Sequence, residues 1–190
     1  MRTDQSLIDE TLAGDSSAFD VLVLRYQDRL VHSLEHALGS HDEATDIAQQ
    51  TFVQAWRRLS TFRAESAFYT WLYRIARNIA VGRYQRQRLT IGSLEGLAET
   101  GGFEPVDHRP SSTPDYQLNQ SEQDLVVRKA LQQIPEEFRL PLMMKELDGF
   151  SYEEISRILE IPPGTVRSRI FRARQELADR LKRGQNGERD

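Results

Sequence analysis

The stretch SYEEISRILEIPPGTVRSRIFRAR, residues Ser151–Arg174, decides the reading of the whole chain. Ser151, Tyr152, Glu153 and Glu154 have the pattern of a capping box, in which the serine hydroxyl and the glutamate carboxylate each satisfy the other's backbone N–H at a helix start. Ile155, Ile158 and Leu159 give that helix an apolar side, and the pattern breaks across Glu160, Ile161, Pro162, Pro163 and Gly164. Proline is tolerated at the first position of a helix, where its missing N–H would have no partner anyway. A second helix is therefore predicted from Pro163 or just after it. Two short helices joined by a turn of this length make a helix-turn-helix, whose second helix enters a DNA major groove.

The second helix carries its own test. At about 100° per residue, Val166, Ile170, Ala173, Leu177 and Leu181 share one face, while Gly164, Arg167, Ser168, Phe171, Arg172 and Gln175 lie opposite. A phenylalanine pointing outward among arginines makes little sense on a solvated helix. It suits DNA, where the ring meets a thymine methyl and a guanidinium bonds guanine bidentately. Arg169 and Arg174 flank this face and are placed to reach phosphates. The plainer alternative, a surface helix whose arginines pair with nearby acids, fits poorly because Glu176 is the first acid along it.

Working outward, the chain has 190 residues, 38% of them hydrophobic, which favours two small helical units over one large core. The net charge of −4 argues weakly against a nucleic-acid partner, but its distribution argues for one. Between Leu72 and Arg88 the charged residues are Arg74, Arg77, Arg83, Arg86 and Arg88. From Leu89 to Asp124 seven acids face only Arg109, and the balance turns basic again from Arg167 to Arg183. Two basic blocks separated by an acidic stretch read as two polyanion-binding surfaces on a tether. The absence of cysteine excludes disulfides, thiolate zinc sites and thiol catalysis. No apolar run approaches the roughly 20 residues needed to span a bilayer, and Met1–Gln5 has no apolar signal core, so direct membrane insertion is not expected and a cytoplasmic location is.

The N-terminal part reads as three helices. Asp15 and Ser16 can cap a helix whose stripe is Phe19, Leu22, Val23, Tyr26, Leu30 and Leu34, ended by a turn at Gly39–Asp42. A second stripe comprises Ala44, Ile47, Ala48, Thr51, Phe52, Ala55 and Leu59, with Asp46, Gln49, Gln50 and Gln54 pointing elsewhere. After a loop from Ser60 to Glu65, a third helix is predicted from about Ser66 to Arg88, with Phe68, Trp71, Leu72, Ile75 and Ile79 as its core side. Opposite lie Thr70, Tyr73, Arg74, Arg77, Tyr84 and Arg88. Interleaved rings and guanidiniums suit single-stranded nucleic acid, the rings stacking on bases and the guanidiniums following phosphates. Between Leu89 and Asn119 the periodicity fails among Gly, Pro, Ser and Thr, the composition of a flexible linker. Helical patterning resumes near Ser121, and Pro135 begins another short helix through Phe138, Leu142 and Met143. The fold class is thus all-α: two small helical domains over 1–88 and 120–184, an acidic linker over 89–119, and a disordered tail over 185–190.

Taken together, Ser66–Ala76 (SAFYTWLYRIA) and Gly164–Arg174 (GTVRSRIFRAR) resemble bacterial sigma factors of the sigma-70 family, of the extracytoplasmic-function (ECF, sigma-E-like) type. Asp46–Phe52 (DIAQQTF) resembles the polymerase-binding helix of that family. The resemblance covers both helical parts in the same order and leaves the linker unmatched. It implies that the first domain is sigma region 2, binding the beta-prime clamp of core RNA polymerase through Asp46, Gln49 and Gln50 and opening the minus-ten promoter element. A flipped-out base of the melted strand would be captured by Phe62, Arg63, Ala64, Glu65, Ser66 and Ala67, with Trp71, Arg74, Arg77 and Asn78 nearby. The C-terminal domain would be sigma region 4, contacting the beta flap and reading the duplex minus-thirty-five element through Arg167, Ser168, Phe171 and Arg172, with Arg169 and Arg174 on phosphates. Such factors are commonly held inactive by an anti-sigma factor, often at the inner membrane, and serve stress or envelope responses. The family commonly has Gln-Glu where this chain has Gln49-Gln50, and Gly-Asp where it has Ala64-Glu65.

Two other readings stay open on sequence alone. One is an autonomous helix-turn-helix regulator that is not a polymerase subunit; the other is an adaptor binding only protein. An enzyme is not expected, because no phosphate loop or nucleophile motif occurs. No cofactor or metal is expected either: His32, His36, His41 and His108 supply only one i, i+4 pair, His32 and His36, without further ligands.

Overall fold

A computed structural model describes residues 2–92 and 122–187 of the chain; its side chains at 87–92, 122–125, 128 and 184–187 are not described. The linker read over 89–119 lies outside these residues from 93 onward, as do the last three residues of the expected tail. All regular structure among the described residues is helical, in the order α1 (Asp4–Leu12), α2 (Ser16–Leu38), α3 (His41–Arg58), α4 (Phe68–Gly92), α5 (Glu122–Gln132), α6 (Glu136–Glu146), α7 (Tyr152–Leu159) and α8 (Pro163–Gly187). They form two compact units: one built from α1–α4, the other from α5, α6, the N-terminal half of α7, and α8.

In the first unit α2 packs on α3, α3 on α4 and α1 on α2. Asp15 caps α2 by accepting from the Ser17 N–H at 2.9 Å, and Gly39, at φ +76, ends it in a left-handed conformation that costs glycine little. Ser40 follows at once and accepts from the Glu43 N–H at 3.3 Å to start α3. This core contains Leu22, Leu30, Leu34, Ile47, Phe52, Phe68 and Leu72, all buried. Its buried hydroxyls are paired: Thr51 donates to the Ile47 carbonyl, and Ser33 and Tyr69 share a hydrogen bond of 2.9 Å.

Three features depart from the expectation. Helix α1 had not been read from the sequence. It is capped by Thr3, which accepts from the Ser6 N–H, buries Leu7 and Ile8, and is tied to α2 by Asp4, whose carboxylate accepts from both Arg25 and Tyr26. Helix α4 begins at Phe68 rather than Ser66 and runs to Gly92, four residues beyond Arg88. Its buried line is Phe68, Tyr69, Leu72, Tyr73, Ala76 and Ala80, so Thr70 and Tyr73 are buried rather than outward, while Trp71, Ile75 and Ile79 are only partly covered. A phenol can be buried when its hydroxyl is satisfied, as that of Tyr69 is by Ser33. The Tyr69 ring lies under the Arg29 guanidinium at 3.9 Å and beside Tyr26, and Tyr73 packs next to it.

In the second unit α8 packs on α6 and α5. The capping box at α7 forms as read: the Ser151 N–H donates to Glu154 Oε2 at 2.8 Å and the Glu154 N–H to Ser151 Oγ at 3.2 Å. The following turn passes through Glu160 at φ +57, and the Ile161 N–H donates to the Ser156 carbonyl at 3.2 Å. Pro163 is the first residue of α8, and the Thr165 and Val166 N–H groups donate back to the Pro162 carbonyl. Gly149, at φ +74, lets the chain leave α6 so that Phe150 is buried and Ser151 stands at the cap.

Candidate nucleic-acid interface

The wheel drawn from sequence holds along α8. Val166, Ile170 and Ala173 are buried, Leu177 and Leu181 partly so, and Gly164, Arg167, Ser168, Phe171, Arg172 and Gln175 are exposed. Phe171 is 60% exposed while its neighbour Ile170 is 1% exposed. The helix thus spends its aliphatic residues on the core and presents a bare ring next to Arg172.

The arginines are not as free as their own helix suggested. Arg167 stands 3.7 Å from Glu153 of α7, Arg169 is 3.1 Å from Glu137 of α6, and Arg174 donates to Glu146 of α6. The hydrogen bond from Glu146 pushes the Arg174 guanidinium further above its ordinary pKa. Counting acids along α8 alone missed these partners, because they arrive from other helices. Arg172 differs: its guanidinium lies 6.0 Å from the centre of the Phe138 ring and, among the described residues, pairs with no carboxylate.

In the first unit Phe62, Phe68 and Trp71 form a cluster of edge-on and tilted rings, with centroids 5.4–5.7 Å apart. Phe62 follows the short 3-10 helix Leu59–Thr61 and anchors one end of the loop; Phe68 opens α4 at the other end. Between them Arg63, Ala64, Glu65 and Ala67 are exposed and Ser66 is partly covered. Ala64 takes φ +53, in the left-handed region that costs an L side chain roughly 1–2 kcal/mol. Trp71, Arg74 and Asn78 follow one another on the same side of α4, the last two exposed, with Arg77 partly covered alongside.

A third surface lies on α3. Asp46, Gln49 and Gln50 are all exposed, and Asp46 is 3.7 Å from Arg83 of α4. Two apolar residues that the sequence reading passed over continue this side: Val53, 52% exposed, and Trp56, 45% exposed. Both fall off the helix's buried stripe, and that was the available signal. Trp56 meets Phe19 edge-on at 5.0 Å and, with Thr11, Leu12, Leu59 and Ser60, lines a shallow groove. Among the described residues no cluster of three metal-ligating side chains occurs, and no helix is long and apolar enough to cross a membrane.

The family model for sigma-70 region 2 matches residues 22–90, and that for sigma-70, region 4 matches residues 124–177. The RNA polymerase sigma-H factor of Pseudomonas aeruginosa is 39% identical over 176 residues, spanning 92% of this chain and 91% of that one. The ECF RNA polymerase sigma-E factor of Escherichia coli is 39% identical over 181 residues, 94% of each chain. Among solved structures, the sigma factor RpoE from Bartonella quintana, in complex with the anti-sigma factor NepR, aligns with a TM-score of 0.67 and 25% identity. That alignment covers 86% of this chain and 96% of the other.

Proposed function

Because the chain belongs to the sigma-70 family, as a sigma-E-like ECF RNA polymerase sigma factor that directs transcription initiation, we propose a division of labour between its two units. It is a specificity subunit and not an enzyme; the polymerisation chemistry belongs to core polymerase. The first unit, over 1–88, acts as region 2 and the second, over 120–184, as region 4, joined by the acidic stretch 89–119.

The second unit reads duplex DNA at the minus-thirty-five element. Arg167, Ser168, Phe171 and Arg172 face base edges, and Arg169 and Arg174 reach phosphates. The observation that carries this reading is the bare Phe171 ring beside Arg172 on a helix whose other side is buried. The first unit opens and holds the minus-ten element. Its exposed loop at 63–67, anchored by Phe62 and Phe68, receives an extruded base, and Trp71, Arg74, Arg77 and Asn78 line the approach. Extruding a base costs a few kcal/mol, and aromatic stacking of roughly 1–3 kcal/mol per base is of the size needed to offset it.

Asp46, Gln49 and Gln50 bind the beta-prime clamp, joined by the exposed Val53 and Trp56, and the second unit meets the beta flap. The Bartonella quintana protein is held by an anti-sigma factor. By similarity, this chain is held by one too, in the cytoplasm or at the inner membrane, until a stress or envelope signal frees it. Run-off transcription with bacterial core polymerase and a promoter library tests the reading. Transcripts should start at defined sites only when the chain is added and should be weakened by Arg172→Ala. Transcripts that are independent of the chain would overturn it.

A further inference from the structure

We infer that Glu137, Glu146 and Glu153 set how sharply the second unit discriminates between duplex sequences, by withholding Arg169, Arg174 and Arg167 from indiscriminate phosphate contact. This rests on the reading of α8 as the duplex-reading helix.

The arginines of α8 are not equivalent. Three of the four on the outer side of α8 meet a carboxylate brought by another helix: Arg167 with Glu153, Arg169 with Glu137 and Arg174 with Glu146. Arg172, next to the exposed Phe171, meets none among the described residues and lies toward an aromatic ring instead. Two of the three acids, Glu137 and Glu153, also stand in the first turns of their helices. That is where the positive end of the backbone dipole otherwise attracts phosphate. The net positive charge offered to a duplex is therefore concentrated at the residue placed to read a base.

The carboxylate side chains of the pairs are about half accessible, so each pair is weak and a well-placed phosphate can displace it. Placement is what differs between sequences. On a duplex that gives Phe171 and Arg172 their base contacts, the helix is held in register and phosphates displace the carboxylates. On any other duplex the helix is not held, the carboxylates stay, and their charge repels the backbone. Removing the acids should thus help the wrong sequences more than the right one.

The test uses the full chain, a duplex enriched from a randomised pool by the holoenzyme, and a scrambled duplex of equal length, with binding followed by fluorescence anisotropy across salt. The variant Glu137→Gln/Glu146→Gln/Glu153→Gln should bind the scrambled duplex about 10-fold more tightly at 0.1 M salt. Its salt slope there should steepen by up to about 2.7, at about 0.9 for each phosphate gained. Affinity for the enriched duplex should rise by only about twofold, so discrimination narrows about fivefold. Asp179→Asn removes a negative charge from α8 at a site with no arginine partner among the described residues and should leave the ratio unchanged. Equal gains on both duplexes, no gain, or the same change with Asp179→Asn would overturn the inference. Melting curves check folding, and the single variants Glu137→Gln and Glu146→Gln serve should the triple variant not fold. If the parent chain, alone and in holoenzyme, favours neither duplex, the duplex-reading role itself fails and the inference with it.

Discussion

Two adjacent residues, Ile170 and Phe171, should respond in opposite ways to the same truncation. Ile170 is 1% exposed and sits between Val166 and Ala173 on the side of α8 that faces the core. Replacing it with alanine removes three buried carbons and leaves space the core fills only in part, a cost of about 2–5 kcal/mol. In a unit of this size each kcal/mol moves the melting midpoint by about 4–8 °C, so Ile170→Ala should lower it by roughly 8–40 °C. Phe171 is 60% exposed, and its truncation should stay within about 0.5 kcal/mol of neutral for folding. Its cost should fall on DNA: a lost base contact is worth about 1–3 kcal/mol, or roughly 5- to 150-fold in affinity for the upstream element. The assay pairs thermal melting with transcription from an extended and an upstream-deleted promoter. Phe171→Ala should melt like the parent and lose the advantage of the upstream element. If it melts as early as Ile170→Ala, or initiates as well as the parent on both templates, the outward ring is not a reader and the assignment of faces is wrong.

Other outcomes follow from the same structure. Arg172→Ala should cost about 1–3 kcal/mol at the upstream element and relax the base preference at one position; a uniform loss across all sequences in a binding-site selection would reassign it to phosphate. Trp71→Ala and Asn78→Ala should spare upstream duplex binding but impair opening, and normal permanganate reactivity in the minus-ten element of both variants would defeat that claim. Ala64→Gly should raise stability by about 1 kcal/mol, because the left-handed backbone there strains alanine and not glycine; an unchanged or lower urea midpoint would contradict it. The Tyr26 hydroxyl is pushed up to about 12, by burial first and by its hydrogen bond to Asp4 second. A folded pKa above the ordinary value of 10.0 means its contribution is complete below that pH and lost as pH rises through the folded pKa. The parent should therefore lose stability between pH 10 and 12 more steeply than Tyr26→Phe, and parallel curves would refute the pairing.

The helix-turn-helix was legible because its signals are local. A capping box and a proline at the first helical position act within four residues, and both form as read at Ser151, Glu154 and Pro163. The end of α2 at Gly39 was legible for the same reason. What escaped depends on contacts distant in sequence. Helix α1 is nine residues long and is secured by Asp4 reaching Arg25 and Tyr26, which no local pattern announces. The buried side of α4 was misjudged because Trp71, Ile75 and Ile79 were given precedence over Tyr69 and Tyr73, and the burial of Tyr69 rests on Ser33 and Arg29 from α2. The ion pairs of Arg167, Arg169 and Arg174 were invisible because their acids lie 14 to 32 residues earlier in the chain. Val53 and Trp56 were passed over because an apolar residue off the stripe is not by itself a surface signal, and only their exposure marks them.

The central claim is that two helical units engage separate stretches of one promoter, one paired and one melted, on behalf of a polymerase. Footprinting of the reconstituted holoenzyme on a promoter enriched from the library tests it most directly. An upstream duplex should be protected, less so with Arg172→Ala, and thymines downstream should react with permanganate, less so with Trp71→Ala. Protection of the upstream duplex by the chain alone, with no melted region when core polymerase is added, would contradict it.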